Sequence, residues 1–504
     1  MASTWLNSSF FAGTSSLVIA SAGAGILAFP WALSAARLPS FLGLSALVLI
    51  SNATGMTILA AHTEDGAWCY ELVVERAFGT LASRMVTASI VLLQFGALSG
   101  FLVAIADFAA PLGVPPAPLL AGLAAFILWP LSLVPSLHTL WVTNVISFAT
   151  LCVVSGVIIA RAATRDDPNG QCPAGRSGTE APLALLAWPP SASLFIESAP
   201  IILFGFIGHL QVPIIAHEAR RACADAPTAR RAMLAAILSA LGVCAALYAA
   251  TALAGVACYG EGISTDVLTN LGDDASSGRD ALAAVGGAAM AVHLTFACTF
   301  HVLKRSTFLV PILLPWPFRL PLVTDPVLLY PLLVSVNTLL SGSAHPPLTT
   351  ATNDAGRLID VTPATDDATS TVRGGASLLQ AASAAPRVPR TVAAIRGAAI
   401  VVLTVTVALL AGHRLSVVFA TIGGSVGAAL ACWFPSALIV SDSLKAYQKG
   451  ASPSRGMRLF GSLLAALVMS SLGFLAFAGT VMTLTRGPLE DGPPPSPPRA
   501  PGVP

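Results

Sequence analysis

"SAGAGILAFPWAL", residues 21–33, sets Gly23 and Gly25 among small residues inside a long apolar run and closes on Pro30. Four readings compete for it: a signal-peptide cleavage site, a phosphate-binding loop, a helix-packing motif, or a helix broken inside a membrane. A cleavable signal needs a basic leading region, yet no Lys or Arg precedes Arg37. A dinucleotide loop needs a third glycine and a preceding strand, whereas "GAG" runs straight into "ILAFP". Packing and breakage remain, since small residues let neighbouring helices approach closely.

A second copy favours breakage. "PIILFGFIGHLQVP", residues 200–213, places Gly208 ahead of Pro213 by the same spacing that separates Gly25 from Pro30, and Gly205 stands just upstream as Gly23 does. Matched glycine and proline interruptions in two halves of a chain point to a transporter built from inverted repeats with broken helices. Unwinding a helix in mid-membrane bares N–H groups that receive a carboxylate and carbonyls that receive an ammonium group or a cation.

Composition agrees with a membrane location. The 504 residues are 55% hydrophobic and 10% charged, with a mean hydropathy of +0.78. Such a chain cannot hide its apolar surface from water. A bilayer core about 30 Å thick takes about 20 apolar residues per helix. Runs of that length lie near 10–34, 40–61, 85–108, 118–136, 139–160, 194–216, 233–257, 281–303, 397–413, 415–441 and 459–484. The expected fold is therefore all-α and integral to the membrane, with eleven spans. Spans one to five and six to ten form a five-plus-five inverted repeat with spans one and six broken, and one extra C-terminal helix follows.

Most of the 26 Lys and Arg fall on one side of this arrangement, among them Arg76, Arg84, Arg220, Arg221, Arg230, Arg231, Lys304, Arg305, Lys445 and Lys449. Arg37, Arg161, Arg165, Arg176, Arg279, Arg414, Arg486 and Arg499 fall on the other. Positive charge stays in the cytosol, which puts residues 1–9 inside and the Pro-rich tail 486–504 outside. The loop 304–396 is cytosolic. Its first part is interrupted by Pro311, Pro315, Pro317, Pro321, Pro326 and Pro331 and reads as interfacial. Its second part, 341–390, reads as a flexible insertion. The sequons at Asn7 and Asn52 fall on the cytosolic end and inside span two, where glycosylation is not expected. The eight cysteines read mostly as buried small hydrophobes, with Cys172 and Cys258 as the one pair in non-cytosolic loops. No nucleic-acid footprint, cofactor motif, metal cluster or catalytic acid/base pair stands out.

Six stretches in order resemble the amino acid/auxin permease family, part of the amino acid/polyamine/organocation superfamily. They are "GAGILAFPWAL", "YELVVERAFG" (70–79), "LLQFGALSGFLVAIAD" (92–107), "FGFIGHLQVPIIAHEARRA" (204–222), "CYGEGISTDVLTNL" (258–271) and "FATIGGSVGAALACWFPS" (419–436). The resemblance implies a secondary active amino acid transporter coupled to sodium or protons. It places substrate contacts at Ser21, Ala22, Gly23, Ala24 and Gly25 and at Phe204, Gly205, Phe206, Gly208 and His209. It points to spans one and eight for the coupling ion, with Thr295 and Thr299 four residues apart and His209 at the second break. Gln94 lines the pathway or bonds a neighbouring helix, and Asp107 reads as a solvated helix end. The sodium-coupled branch carries an asparagine four residues before the position of Gly23; this chain has Ile19, which cannot ligate a hard cation. Proton coupling or exchange gains weight accordingly, and His293 and His301 in span eight are titratable. Apolar Ile202, Phe204 and Phe206 suggest a neutral amino acid. Two alternatives stay open, a sensor that signals through a cytosolic partner and a sodium symporter. Either a plasma membrane or an acidic organelle fits.

Overall fold

Glycine and proline decide where the helices stop. The computed structural model describes residues 2–63, 67, 69–109, 113–128, 140–163, 185–223, 225–267, 270, 281–299, 390–412, 415–448 and 453–485. The chain begins with α1 (Ala2–Ser21), a 3-10 turn (Ala24–Ala28), α2 (Phe29–Ala36) and α3 (Leu38–His62). There follow α4 (Tyr70–Phe78), α5 (Thr80–Ala109), α6 (Pro116–Leu123) with a π turn at Ala124–Leu128, and α7 (Leu140–Ala163). The second part holds α8 (Ala192–Gly205), α9 (Val212–Ala222), α10 (Ala226–Tyr259) and α11 (Ala281–Thr299). It ends with α12 (Arg390–Ala411), α13 (Leu415–Ile422), π turns at Gly423–Gly427 and Ala429–Trp433, α14 (Phe434–Gln448) and α15 (Pro453–Thr485). Among the described residues there is no strand.

Local chemistry sets several ends. Ser191 accepts the Leu194 N–H at 3.2 Å and Asp225 that of Thr228 at 2.7 Å, each filling an orphan donor of the helix it starts. Gly79, at φ +85, turns the chain from α4 into α5 in a conformation that side chains resist. Pro30, Pro39, Pro116, Pro213 and Pro227 sit in first turns, where a missing N–H costs nothing.

Among the described residues six helices are long and apolar enough to cross a membrane, or seven if the bent pair Gly13–Ser21 and Gly25–Ala36 is one span. The stretches Pro116–Phe126, Ala192–Gly205, Ala284–Leu294 and Val401–Ala411 are shorter apolar helices. The outer faces are apolar: Phe126, Leu410, Met457, Phe460 and Leu467 are all exposed, as lipid contact requires. Inside, helices meet over small residues. Gly100 lies on Phe419, Gly286 on Val157 and Gly255 on Pro30, and these approaches replace the hydrophobic drive that lipid removes. Helix boundaries run past the expected ones where no breaker stands. α1 begins at Ala2 rather than 10, and α12 at Arg390 rather than 397. The Pro-rich segment and the insertion up to 389 lie outside the described residues.

Candidate functional site

α1 ends at Ser21, and Ala22 and Gly23 are not helical before the 3-10 turn. Gly23 is extended (φ −106, ψ −154), and the two halves of the helix bend by 49°. α8 likewise ends at Gly205, and Phe206–Gln211 runs without helix until Pro213 restarts it as α9. Both interruptions fall in the stretches singled out by their glycine and proline spacing.

The two breaks lie back to back. A Cβ on Gly25 would stand 3.4 Å from Phe204 Cδ1 and 3.6 Å from the Cα of Gly205, and one on Gly208 would stand 2.7 Å from Ser21 Oγ. A methyl group at Gly25 would be in ordinary contact, whereas one at Gly208 would crowd the Ser21 hydroxyl and the end of Met56. Ser21, Ala22, Gly25, Gly205, Phe206, Gly208 and His209 are buried, while Gly23 and Phe204 keep partial exposure. Phe204 stacks on Phe419 with centroids 4.8 Å apart, and Gly23 faces the Phe101 ring. The side chain of Ala24 lies outside the described residues.

A residue that the sequence reading missed joins the breaks. Tyr248 of α10 is fully buried, and its hydroxyl lies 2.8 Å from the carbonyl of Ser21 and 2.7 Å from that of Gly205. One O–H donates to two carbonyls that unwinding left without helical partners. Its ring packs 4.3 Å from Phe29 and 5.1 Å from Phe206, and Phe29 also meets Phe206 and Phe41 edge-on. A signal existed in the spacing of Cys244, Tyr248, Thr251 and Gly255, a polar and small stripe on one helical face. Cys244 lies 3.8 Å from the Val18 carbonyl, Thr251 bonds Ser155 at 3.0 Å, and Gly255 receives Pro30.

His209 is fully buried beside α3. Its Nε2 stands 2.8 Å from where a Gly55 Cβ would be, beside Pro435 and the Ala431 carbonyl, and neither ring nitrogen has a hydrogen-bond partner among the described residues. Thr295 and Thr299 belong to α11, but their side chains lie outside the described residues. Ile19 is buried in the apolar core. Gln94 is fully buried.

Two expectations need correction. Asp107 is not a solvated helix end: it is 5% exposed, because α5 runs on to Ala109 and keeps the carboxylate inside the bundle. Arg161, counted among the loop charges, is 1% exposed because α7 continues to Ala163. Both make interactions within the protein, as does Glu197, buried near the start of α8 and overlooked in the sequence. Cys258 is disulfide-bonded. On the loop between α3 and α4, burial pushes the Cys69 thiol well up, and neighbouring Glu71 adds to it. Between α9 and α10, the backbone N–H of Thr228 holds the Asp225 carboxyl below its ordinary value.

Two crystal structures of a manganese transporter from Eremococcus coleocola illustrate the similar solved structures. One, of a point mutant, is 11% identical with a TM-score of 0.40; the other, in complex with an aromatic bis-isothiourea substituted compound, is 12% identical with a TM-score of 0.39. Each alignment covers 96% of both chains, and at these scores the likeness decides nothing about this protein. No curated protein matches the chain. The family model described as transmembrane amino acid transporter protein matches residues 6–484. This chain, an integral multi-pass membrane protein that carries a small-molecule substrate, belongs to the transmembrane amino acid transporter family.

Proposed function

We propose that the protein is a secondary active transporter of neutral amino acids, driven by protons or working by exchange, through alternating access. The observation that carries this reading is the pair of helix breaks lying back to back in a chain of this family. The N–H groups that open α2 and α9 would receive the substrate carboxylate. The carbonyls freed near Ser21 and Gly205 would receive its ammonium group. Phe204, half-buried and stacked on Phe419, supports an apolar wall for an uncharged side chain. In this reading Ser21–Gly25 and Phe204–His209 contact substrate, the chain crosses the membrane eleven times with a cytosolic N-terminus, and the first ten spans form a five-plus-five inverted repeat. Spans one and six then rock with their bundle against the remaining helices. Ile19, an apolar side chain in the core, supports protons over sodium. His209, Thr295 and Thr299 are the proposed coupling residues, and the membrane is the plasma membrane or that of an acidic organelle.

The test is uptake of a radiolabelled neutral amino acid mixture into proteoliposomes under an imposed proton gradient and, separately, a sodium gradient. Uptake with protons alone supports the proposal, and uptake with sodium alone overturns its coupling. Binding without uptake under either gradient replaces it with a sensor.

A further inference from the structure

Beside the first break, backbone and rings are stacked without slack. A Cβ on Gly25 would stand 3.4 Å from Phe204 Cδ1. The Phe204 ring stacks on Phe419 of α13, with 4.8 Å between centroids and 20° between planes. Behind Phe419 stands Gly100 of α5, where a Cβ would lie 2.6 Å from Phe419 Cε1. Phe419 is fully buried, whereas Phe204 keeps partial exposure. The base of Phe204 is pinned as well, because a Cβ on Gly423 would lie 2.8 Å from its Cβ. Rings are rigid, and a close-packed interior yields only where there is room behind the group that must move. Phe204 therefore cannot retreat from the break unless Phe419 retreats first, and Phe419 is backed by the α5 backbone. Gly23, the other glycine of the break, faces Phe101, with its Cβ position 3.1 Å from Cζ. α5 thus fixes both rings that the first break meets, Phe101 directly and Phe204 through Phe419.

We propose that Phe419 is a positioning residue for specificity: by holding the Phe204 ring against the first break, it restricts the substrate to small neutral side chains, of the size of glycine, alanine or serine. The inference rests on the transport reading above, which puts the amino acid at these breaks, and adds a size limit and the residue that sets it. Phe204 touches the substrate, and Phe419 acts only through Phe204. A branched or aromatic side chain would have to displace a ring that is backed by backbone, and close-packed sites reject overpacking of that kind. Removing bulk at Phe419 opens room behind Phe204 and relaxes the limit. Adding bulk at Gly100 drives Phe419 toward Phe204 and tightens it.

The experiment measures counterflow of radiolabelled alanine into proteoliposomes loaded with glycine, alanine, serine, leucine or phenylalanine, for wild type, Phe419→Ala, Phe419→Leu and Gly100→Ala. We expect wild type to exchange the small amino acids about tenfold or more faster than leucine or phenylalanine. Phe419→Ala should raise the leucine-to-alanine ratio by about tenfold, and Phe419→Leu, which keeps most of the bulk, by about threefold or less. Gly100→Ala should move the other way and lower alanine relative to glycine. A protein that merely lost packing would slow all the amino acids in parallel and leave these ratios where they were. A wild type that takes leucine or phenylalanine as readily as alanine overturns the proposal, and so do unchanged ratios in Phe419→Ala. If Phe419→Ala does not fold, the alanine-to-glycine ratio of Gly100→Ala decides, and no change there overturns it. If the wild type exchanges none of the amino acids, the transport reading fails, and thermal stabilisation by the same amino acids tests the pocket by itself. Stabilisation by the small ones alone then supports the size limit; equal stabilisation by all, or by none, overturns it.

Discussion

The two helix breaks solve the same problem differently. In span one only Ala22 and Gly23 leave the helix; the N–H groups of Ala22, Gly23 and Ile26 bond back to Val18, Ser21 and Gly23, and two side chains of α10 join them, Cys244 at Val18 and Tyr248 at Ser21. In span six a run from Phe206 to Gln211 unwinds and closes its own turns, with N–H groups of Phe206, Ile207, Gln211 and Val212 bonding back to Leu203, Phe204, Gly208 and His209. The first break is short and takes two side chains of α10; the second is long, closes more of its own turns and meets Tyr248 at Gly205. A segment whose polar groups depend on neighbouring helices feels their movement. The first break thus leans more on α10, and the second is the more self-contained.

The sharpest way to break this comparison is to add one methyl group to each. A Cβ on Gly205 would stand 2.5 Å from Cε2 of Phe29, whose ring is confined by Tyr248, Phe206 and Phe41, whereas a Cβ on Gly23 meets Phe101 Cζ at 3.1 Å. Overpacking of the first kind costs about 1–3 kcal/mol. Gly205→Ala is expected to lower initial uptake by about tenfold or more, against about threefold or less for Gly23→Ala. Equal losses in a proteoliposome assay would remove the asymmetry.

Tyr248→Phe probes the joint between the breaks. It removes one donor from two buried carbonyls and leaves the aromatic packing in place, a change of about 1 kcal/mol. We expect KM for amino acid to rise by about fivefold with maximal rate retained, because substrate then supplies the order that the hydroxyl gave. A fall in maximal rate at constant KM would mean that the hydroxyl serves folding alone. Gly55→Ala is a smaller perturbation on the other side of span six. It crowds His209 Nε2, and about a twofold loss of uptake is expected, relieved by His209→Ala in the same chain.

The smallest effect belongs to the cap of α10, outside the membrane. Asp225 has its folded pKa held below the ordinary value of 3.8 by the Thr228 N–H. Its stabilising contribution is therefore fully present above the unfolded pKa and is lost only as pH falls through the folded one. Asp225→Asn should leave thermal unfolding near neutral pH almost unchanged, because asparagine also caps, and Asp225→Ala should lower it slightly. A larger drop for Asn than for Ala in a melting assay would contradict the cap.

The breaks were legible in the sequence because glycine and proline act on the backbone, and backbone rules are local. Ile19 was legible as an apolar side chain beside the break, and the fold adds that it is buried. Tyr248 was not legible: an aromatic in an apolar run looks like core until the fold brings two carbonyls to its hydroxyl. His293 could be named as titratable, but its partner Ser147 lies on another span. Asp107 and Arg161 were misread for the opposite reason. Charge near the end of an apolar run looks like solvent, and only the continuation of each helix and the packing around it show the group inside.

The half of span six that precedes its break is seated in an unusual way. Pro200 removes an N–H from α8, and the bare backbone on either side of it is met by glycine: Gly423 at the Pro200 carbonyl and Gly479 at that of Ile196. A rod seated on bare backbone along two of its flanks has lost the freedom to roll about its own axis and keeps only sliding along it. Any swing of this half is therefore expected to carry α15 and the π turn at Gly423–Gly427 along with it, and the unwound residues serve as a universal joint that lets α9 follow at its own angle.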